Sequence, residues 1–163
     1  MFSKLLLIAL FAISGIFAAD IKWYDYGTGV AEVKAKKKPA IIDFYTDWCH
    51  WCKVMDEKTF NEAKVKDKLI KKFVAMRINP EKSTETITFE GKSYKPMDFA
   101  QALGVQGFPA LAFMDSKGKL ITLIPGYIPP ETFIQILGYI ETECYAKGMS
   151  FEDWQKKAGK CKN

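Results

Sequence analysis

Cys49 and Cys52 stand three positions apart in the segment Trp48-Cys49-His50-Trp51-Cys52-Lys53. Two thiols at that spacing on the first turn of a helix can close and reopen a disulfide. Immediately before them runs Ala40 to Tyr45, Ala-Ile-Ile-Asp-Phe-Tyr, whose β-branched and aromatic character suits a buried strand. Thr46 and Asp47 then offer a turn and the chemistry of a helix start. Cys49 is thereby expected at a helix N-terminus, where unpaired N–H groups and partial positive charge favour the thiolate, the reactive form. Such a thiolate attacks a disulfide in another protein, and Cys52, one turn later, resolves the mixed disulfide. The expected chemistry is two-electron exchange with no further cofactor.

The neighbours bear on how the pair would work. His50 can place positive charge beside the Cys49 thiolate and shift the pair towards oxidation, a tuning role that competes with a plain surface position. Asp43 lies among Ile41, Ile42 and Phe44; a carboxyl there is expected to be desolvated, raised in pKa and suited to taking a proton, or else bonded to nearby backbone. Trp48, Trp51 and Phe108 are candidates for an apolar docking patch or for ordinary packing. Zinc would require two more ligands at suitable spacing, and His50 is the only histidine, so no metal is expected. A purely structural bridge between Cys49 and Cys52 remains as an alternative.

These residues need a scaffold, and the chain patterns one. Val30 to Lys38 reads as a short basic helix before Pro39. Cys49 to Thr59 has helical spacing with Cys52, Met55 and Phe60 on one side. Asn61 is placed to cap a helix to Lys72 with Val65, Leu69 and Phe73 inward. Val74 to Ile78 and Ala110 to Met114 read as strands. Thr86 to Tyr94 reads as a small hairpin turning at Glu90-Gly91-Lys92, and Met97 to Leu103 as a helix stopped by Gly104. Leu120 to Ile124 returns antiparallel after the turn Asp115 to Lys119. Pro129 and Pro130 open a helix expected to run through Tyr145, and Ser150 with Asp153 resembles a cap for one more. This order predicts an α/β domain: a mixed central sheet with helices on both faces, followed by a C-terminal helical tail over 145–163.

Met1 to Lys4 carries one positive charge, Leu5 to Phe17 is almost wholly apolar, and Ala18 and Ala19 are small. That pattern predicts a cleavable signal peptide over 1–18 and an exported domain over 19–163, against the alternative of an uncleaved anchor. Export makes disulfides plausible for all four cysteines. Sixteen residues lie between Cys144 and Cys161, and a structural bridge there would clamp the tail to the body. The net charge of +5 comes from scattered lysines with few arginines, a solvated surface rather than a nucleic-acid footprint.

The segment Ile42 to Lys53 resembles the active-site strand and turn of thioredoxins, especially exported thioredoxin-like proteins similar to the thioredoxin-like domain of the membrane disulfide reductase DsbD. A second segment, Gly104-Val105-Gln106-Gly107-Phe108-Pro109-Ala110-Leu111, is similar to the family's loop bearing a cis proline opposite the cysteines. The resemblance spans about Ala31 to Gly138 and implies a thioredoxin fold. It also implies roles: Cys49 as nucleophile, Cys52 as resolving thiol, Asp43 as the acid that deprotonates it, and Trp48 as the flanking tryptophan. Pro109 matches the cis proline, Phe108 the residue whose backbone pairs with an extended substrate, and Gly126 a glycine near the last strand. The implied activity is a periplasmic thiol–disulfide oxidoreductase, with reductant preferred over oxidase or isomerase, and with a non-catalytic binding or chaperone-like module as the different class. The implied partners are client proteins with thiols or disulfides and a membrane electron donor of the DsbD type, the protein itself being a monomer. The chain departs from the family in its His-Trp dipeptide, in the length of Glu81 to Tyr94, and in its tail beyond about Tyr145.

Overall fold

The computed structural model describes residues 19–161; the expected signal peptide over 1–18 lies outside them. Five strands form the main sheet: β1 (Trp23–Tyr24), β2 (Ala40–Phe44), β3 (Val74–Ile78), β6 (Ala110–Met114) and β7 (Leu120–Pro125), in the order β1-β3-β2-β6-β7. β1 and β2 run parallel to β3, whereas β6 is antiparallel to both β2 and β7. Strands β4 (Ile87–Phe89) and β5 (Lys92–Tyr94) make a separate hairpin. The helices are α1 (Tyr26–Lys36), α2 (His50–Val54), α3 (Ala63–Lys72), α4 (Pro96–Ala102), α5 (Pro130–Glu141) and α6 (Phe151–Lys156). A π-helical turn, Met55–Phe60, continues α2, and a 3₁₀ turn occupies Cys144–Lys147. The mixed α/β architecture expected from the element order is present.

The sheet is buried on both faces because its central strands carry apolar side chains on both. In β2, Ala40, Ile42 and Phe44 join Val74, Met76 and Ile78 beneath α1 and α4. Ile41 faces the other way, into a core built from Met55, Phe60, Val65, Leu69, Phe133 and Leu137. The period of two along each strand puts Asp43 and Arg77 on this second face, under the helix that carries Cys52.

Local chemistry explains where boundaries depart from the pattern. α1 starts four residues earlier than its apolar spacing indicates, because Asp25 caps it with a 2.8 Å bond from the Thr28 N–H. Gly29 in this first part of the helix has a packing reason: a Cβ there would lie 2.2 Å from Met76 Cγ, so glycine lets α1 approach β3. Asn61 closes the π turn, and the α3 cap falls instead to Glu62, whose backbone is extended and whose carboxylate accepts from Val65 N at 2.9 Å. α5 ends at Glu141 rather than Tyr145. Glu143 adopts a left-handed φ of 53°, and the chain turns into the 3₁₀ segment that begins, rather than ends, at Cys144.

The long segment after β3 is ordered by packing. Ile87 is fully buried, and Phe89 and Tyr94 meet Phe99 with ring centroids 5.5 and 6.1 Å apart. The tail is ordered by Cys144–Cys161, a disulfide with Cα atoms 5.3 Å apart, and by Trp154, which lies against Gly138 and stacks on Phe151. Ser150 Oγ accepts from Asp153 N at 3.1 Å to start α6.

Candidate functional site

The backbone leaves β2 at Phe44, and the Tyr45 N–H still continues the sheet by donating to the Ile78 carbonyl at 3.1 Å. The next residues turn tightly, with the Cys49 N–H donating to the Thr46 carbonyl at 3.2 Å. Cys49 then occupies the N-cap of α2: its backbone is extended, and its Sγ accepts from the Cys52 N–H at 3.1 Å. Cys49 and Cys52 are joined as a disulfide with Cα atoms 5.3 Å apart. A sulfur in that position receives an N–H that a helix start leaves unpaired, so negative charge developing on it is met by a donor already in place.

The surroundings of the pair are apolar and open. Trp48 and Trp51 are 68% and 54% exposed, the two most exposed large hydrophobic side chains among the described residues. Both meet the turn that carries Pro109, whose peptide bond with Phe108 is cis. Trp48 packs edge-on to Phe108 at 6.2 Å, and Trp51 lines a groove of about 260 Å³ with Phe108, Pro109, Gly126 and Tyr127. Gly126, at φ 84°, bends the chain back so that its N–H donates to the Pro109 carbonyl at 2.8 Å, and Tyr127 then reaches Trp51 at 5.5 Å. His50 is exposed and touches the Trp51 ring edge-on at 5.6 Å. The fold therefore gathers Trp48, Trp51, Phe108 and Pro109 around the disulfide, together with Tyr127.

Residues after β3 brace this face. Glu81 accepts from Trp48 Nε1 at 3.0 Å. Asn79 donates to Asp47 at 3.1 Å and accepts from the Glu81 N–H at 3.1 Å, and Lys82 pairs with Asp47. The bond from Lys82 holds the Asp47 carboxyl below its ordinary range.

Asp43 lies beneath, 2% exposed. Burial pushes its carboxyl up to about 6, against the opposing pull of the Arg77 guanidinium, with a smaller push from Asp56. Arg77 is its register partner on β3 and donates to Asp43 Oδ2 from Nε at 2.9 Å. Its Nη2 also reaches Asp56 Oδ1 at 2.5 Å. Asp56 lies four residues after Cys52, one turn along the same helix side.

Sequence reasoning missed Arg77, Asp56, Glu81 and Tyr127. A signal for the first was present. Arg77 is the only arginine among 24 basic residues, and it sits inside an otherwise apolar strand. The others sit at positions where their residue types are commonplace.

The comparisons agree with this geometry. A family model described as a thioredoxin-like domain matches residues 27–141. The thiol:disulfide interchange protein DsbD of Vibrio cholerae is 29% identical over 112 residues, covering 68% of this chain and 17% of that protein. DsbD of Escherichia coli O6:H1 is 30% identical over 105 residues, covering 63% and 17%. The chain thus spans about 17% of the length of these curated relatives. Among solved structures, a thioredoxin from Thermus thermophilus is similar with a TM-score of 0.64 and 21% identity, covering 80% of this chain and 95% of that one. The C-terminal domain of Neisseria meningitidis DsbD in its oxidised form has a TM-score of 0.54 and 21% identity, covering 70% and 90%. Since the family model spans β2, β3, β6 and β7, both cysteines of the pair and the Pro109 turn, this chain belongs to the thioredoxin-like domain family.

Proposed function

We propose that this protein is an exported thiol–disulfide oxidoreductase that reduces disulfides in client proteins through Cys49 and Cys52. The observation that carries the proposal is the place of Cys49: at the cap of α2, with the Cys52 N–H on its sulfur and exposed tryptophans on either side. In the reduced protein, the Cys49 thiolate attacks one sulfur of a client disulfide. A Cys49–client bond forms, the client bond breaks, and the other client sulfur leaves as a thiolate that takes up a proton. Asp43 then accepts the Cys52 proton, and the Cys52 thiolate attacks Cys49 Sγ. The Cys49–Cys52 disulfide forms, the Cys49–client bond breaks, and the second client sulfur leaves as a thiolate that takes up a proton, so that over both steps the client has gained two electrons and two protons.

Trp48, Trp51, Phe108 and Pro109 form the docking face, on which an extended client segment lies against the Phe108 backbone. His50 tunes the pair by placing charge near Cys49. The exchange needs no cofactor other than the disulfide itself. The apolar segment at 5–17 supports delivery to the periplasm by a signal peptide over 1–18. A membrane electron donor of the DsbD type would return Cys49–Cys52 to the dithiol. Cys144–Cys161 serves as a structural clamp on the tail.

Turbidimetric insulin reduction tests the proposal. Wild-type protein with a dithiol reductant accelerates precipitation, and Cys49→Ser does not. Equal inactivity of both proteins overturns the enzyme reading in favour of a binding module. The reduction potential of the pair separates reductant from oxidant: a value near that of thioredoxin supports reduction, and one near that of DsbA overturns it.

A further inference from the structure

The lysines are scattered along the chain, but the fold gathers many of them at the end of the sheet away from the disulfide. β2 runs towards the active-site turn and β3 is parallel to it, so the residues before both strands lie at the far end, roughly 16 Å away for five residues at about 3.3 Å each. Lys37 precedes β2, and Lys34 and Lys36 sit in the last turn of α1. Lys71 and Lys72, in the last turn of α3, precede β3. β6 is antiparallel to β2 with Met114 opposite Ala40, which brings the β6–β7 turn and its Lys117 and Lys119 to the same end. Lys22 joins them, since β1 is parallel to β3 with Trp23 opposite Ala75. All of these lysines are exposed. Most acids near them are engaged locally. Glu32 pairs with Lys36, Asp67 with Lys71, and Glu141 with Lys68 and Lys72, while Asp115 accepts from the N–H groups of Lys117 and Lys119. Lys22, Lys34, Lys37, Lys117 and Lys119 make no ion pair among the described residues. An apolar element shares this end. Ile70 of α3 is 37% exposed and lines a cleft of about 80 Å³ with Lys22, Tyr24 and Lys36. The Nζ atoms of Lys22 and Lys36 lie 4.6 and 5.7 Å from the centroid of the Tyr24 ring.

We propose that this basic end is a docking surface for an anionic phospholipid bilayer, and that it holds the Cys49–Cys52 face directed away from the lipid. Lysines suit a diffuse headgroup charge, because each is a point charge on a flexible stem that lies free to meet whichever phosphate is near. The one arginine of the chain, whose fork would grip a single phosphate or carboxylate, is held elsewhere, between Asp43 and Asp56. Ile70 and Tyr24 add the apolar and aromatic contacts that an interfacial site places at headgroup depth. The chain supplies a second argument for a bilayer over an acidic protein. The apolar stretch from Leu5 to Phe17 precedes β1 by a few residues and therefore joins the domain at this same end. While that stretch is engaged in a bilayer, the end held against the lipid is the one that carries the lysines. The docking surface needs no thiol and stands apart from the exchange reaction.

Vesicle flotation of the exported protein tests the proposal, with vesicles of phosphatidylcholine alone and of phosphatidylcholine mixed with phosphatidylglycerol. At low salt the protein should float with the mixed vesicles and not with the neutral ones. Rising salt should release it as the screening length shortens. Loss of one lysine charge at the surface should weaken binding about fivefold, so Lys37→Gln/Lys117→Gln should lose about 25-fold. Both side chains are exposed and unpaired, so the variant keeps its fold. Lys82→Gln removes the same kind of charge beyond the other end of β3 and should float as wild type does. Ile70→Ser should weaken binding to the mixed vesicles and leave its salt dependence as it was. Cys49→Ser should float as wild type, which keeps a failure of the enzyme reading distinct from a failure here. Equal flotation with the two kinds of vesicle overturns the proposal. So does a loss in Lys82→Gln as large as that in Lys37→Gln/Lys117→Gln, since net charge and not this end would then be responsible. Absence of flotation in a protein that still binds polyglutamate through Lys37 and Lys117 overturns the bilayer in favour of an acidic protein partner.

Discussion

The two disulfides of this protein are alike in bond and unlike in setting. Cys49–Cys52 spans a single helical turn, and Cys144–Cys161 closes a loop with a sequence separation of 17. Solvent exposure does not separate them: Cys49, Cys52 and Cys144 are all buried. What differs is the company. Cys49 has a helix-start N–H on its sulfur and two exposed tryptophans beside it, over a groove next to the Pro109 turn. Cys144 lies against Met149 and Trp154 in a small apolar cluster, and Cys161 Sγ sits 3.4 Å from the Thr142 carbonyl. One sulfur is placed where negative charge is met by a donor. The others are placed where a thiolate would find apolar carbon or a carbonyl oxygen. Reactivity follows from those neighbours rather than from the bond.

The sharpest way to break this comparison is to remove each bridge in turn. Cys49→Ser should abolish insulin reduction, whereas the double variant Cys144→Ser/Cys161→Ser should retain it; comparable losses in both would give the tail a share in the chemistry. The double variant should instead lose stability, by about 3 kcal/mol in urea unfolding, as expected for opening a loop of this size.

A third expectation concerns Asp43. Its carboxyl is raised to about 6 from an ordinary 3.8, so the folded protein holds this proton more tightly than the unfolded chain. Its contribution to stability is therefore fully present below pH 4 and is lost as pH rises towards 6, by about 3 kcal/mol in all. The difference in urea stability between wild type and Asp43→Asn, followed from pH 4 to pH 7, should show this loss. A flat difference would mean that Asp43 titrates as an ordinary carboxyl. The smallest effect is expected at the brace. Glu81→Gln weakens an exposed bond to Trp48 and should raise KM for a protein substrate about twofold to threefold with kcat unchanged, consistent with a contribution of about 0.5 kcal/mol.

Much of this was legible from residue order, because it depends on short-range pattern. Val74–Ile78 and Ala110–Met114 are strands within the bounds their apolar runs indicate, and the hairpin turns at Glu90-Gly91. Trp48, Trp51, Phe108 and Pro109 share one face, as two separated motifs implied. What escaped depends on register between distant elements. Asp43 meets Arg77 only because β2 and β3 pair in parallel with those residues opposite, and periodicity within either strand does not report that pairing. Glu81 reaches Trp48 only because the chain after β3 crosses over the turn after β2. The end of α5 escaped for a different reason: Thr142, Glu143 and Cys144 are not helix breakers by type, and the left-handed Glu143 diverts the chain.

The π-helical turn Met55–Phe60 carries a consequence for how this chain tolerates insertion and deletion. A π turn amounts to one extra residue wound into a helix. Removing one residue between Asp56 and Thr59 would restore α-helical winding and, because the wide turn had absorbed that residue, leave everything beyond it facing much as before relative to the cysteines. Thr59, whose hydroxyl donates to the Ile128 carbonyl at 2.7 Å, and Phe60, whose ring lies 5.0 Å from Trp23 and 5.7 Å from Phe133, would then keep their neighbours. A single-residue deletion in this segment should therefore be easier to accommodate than one in a regular α-helix such as α3, where nothing absorbs the change in winding.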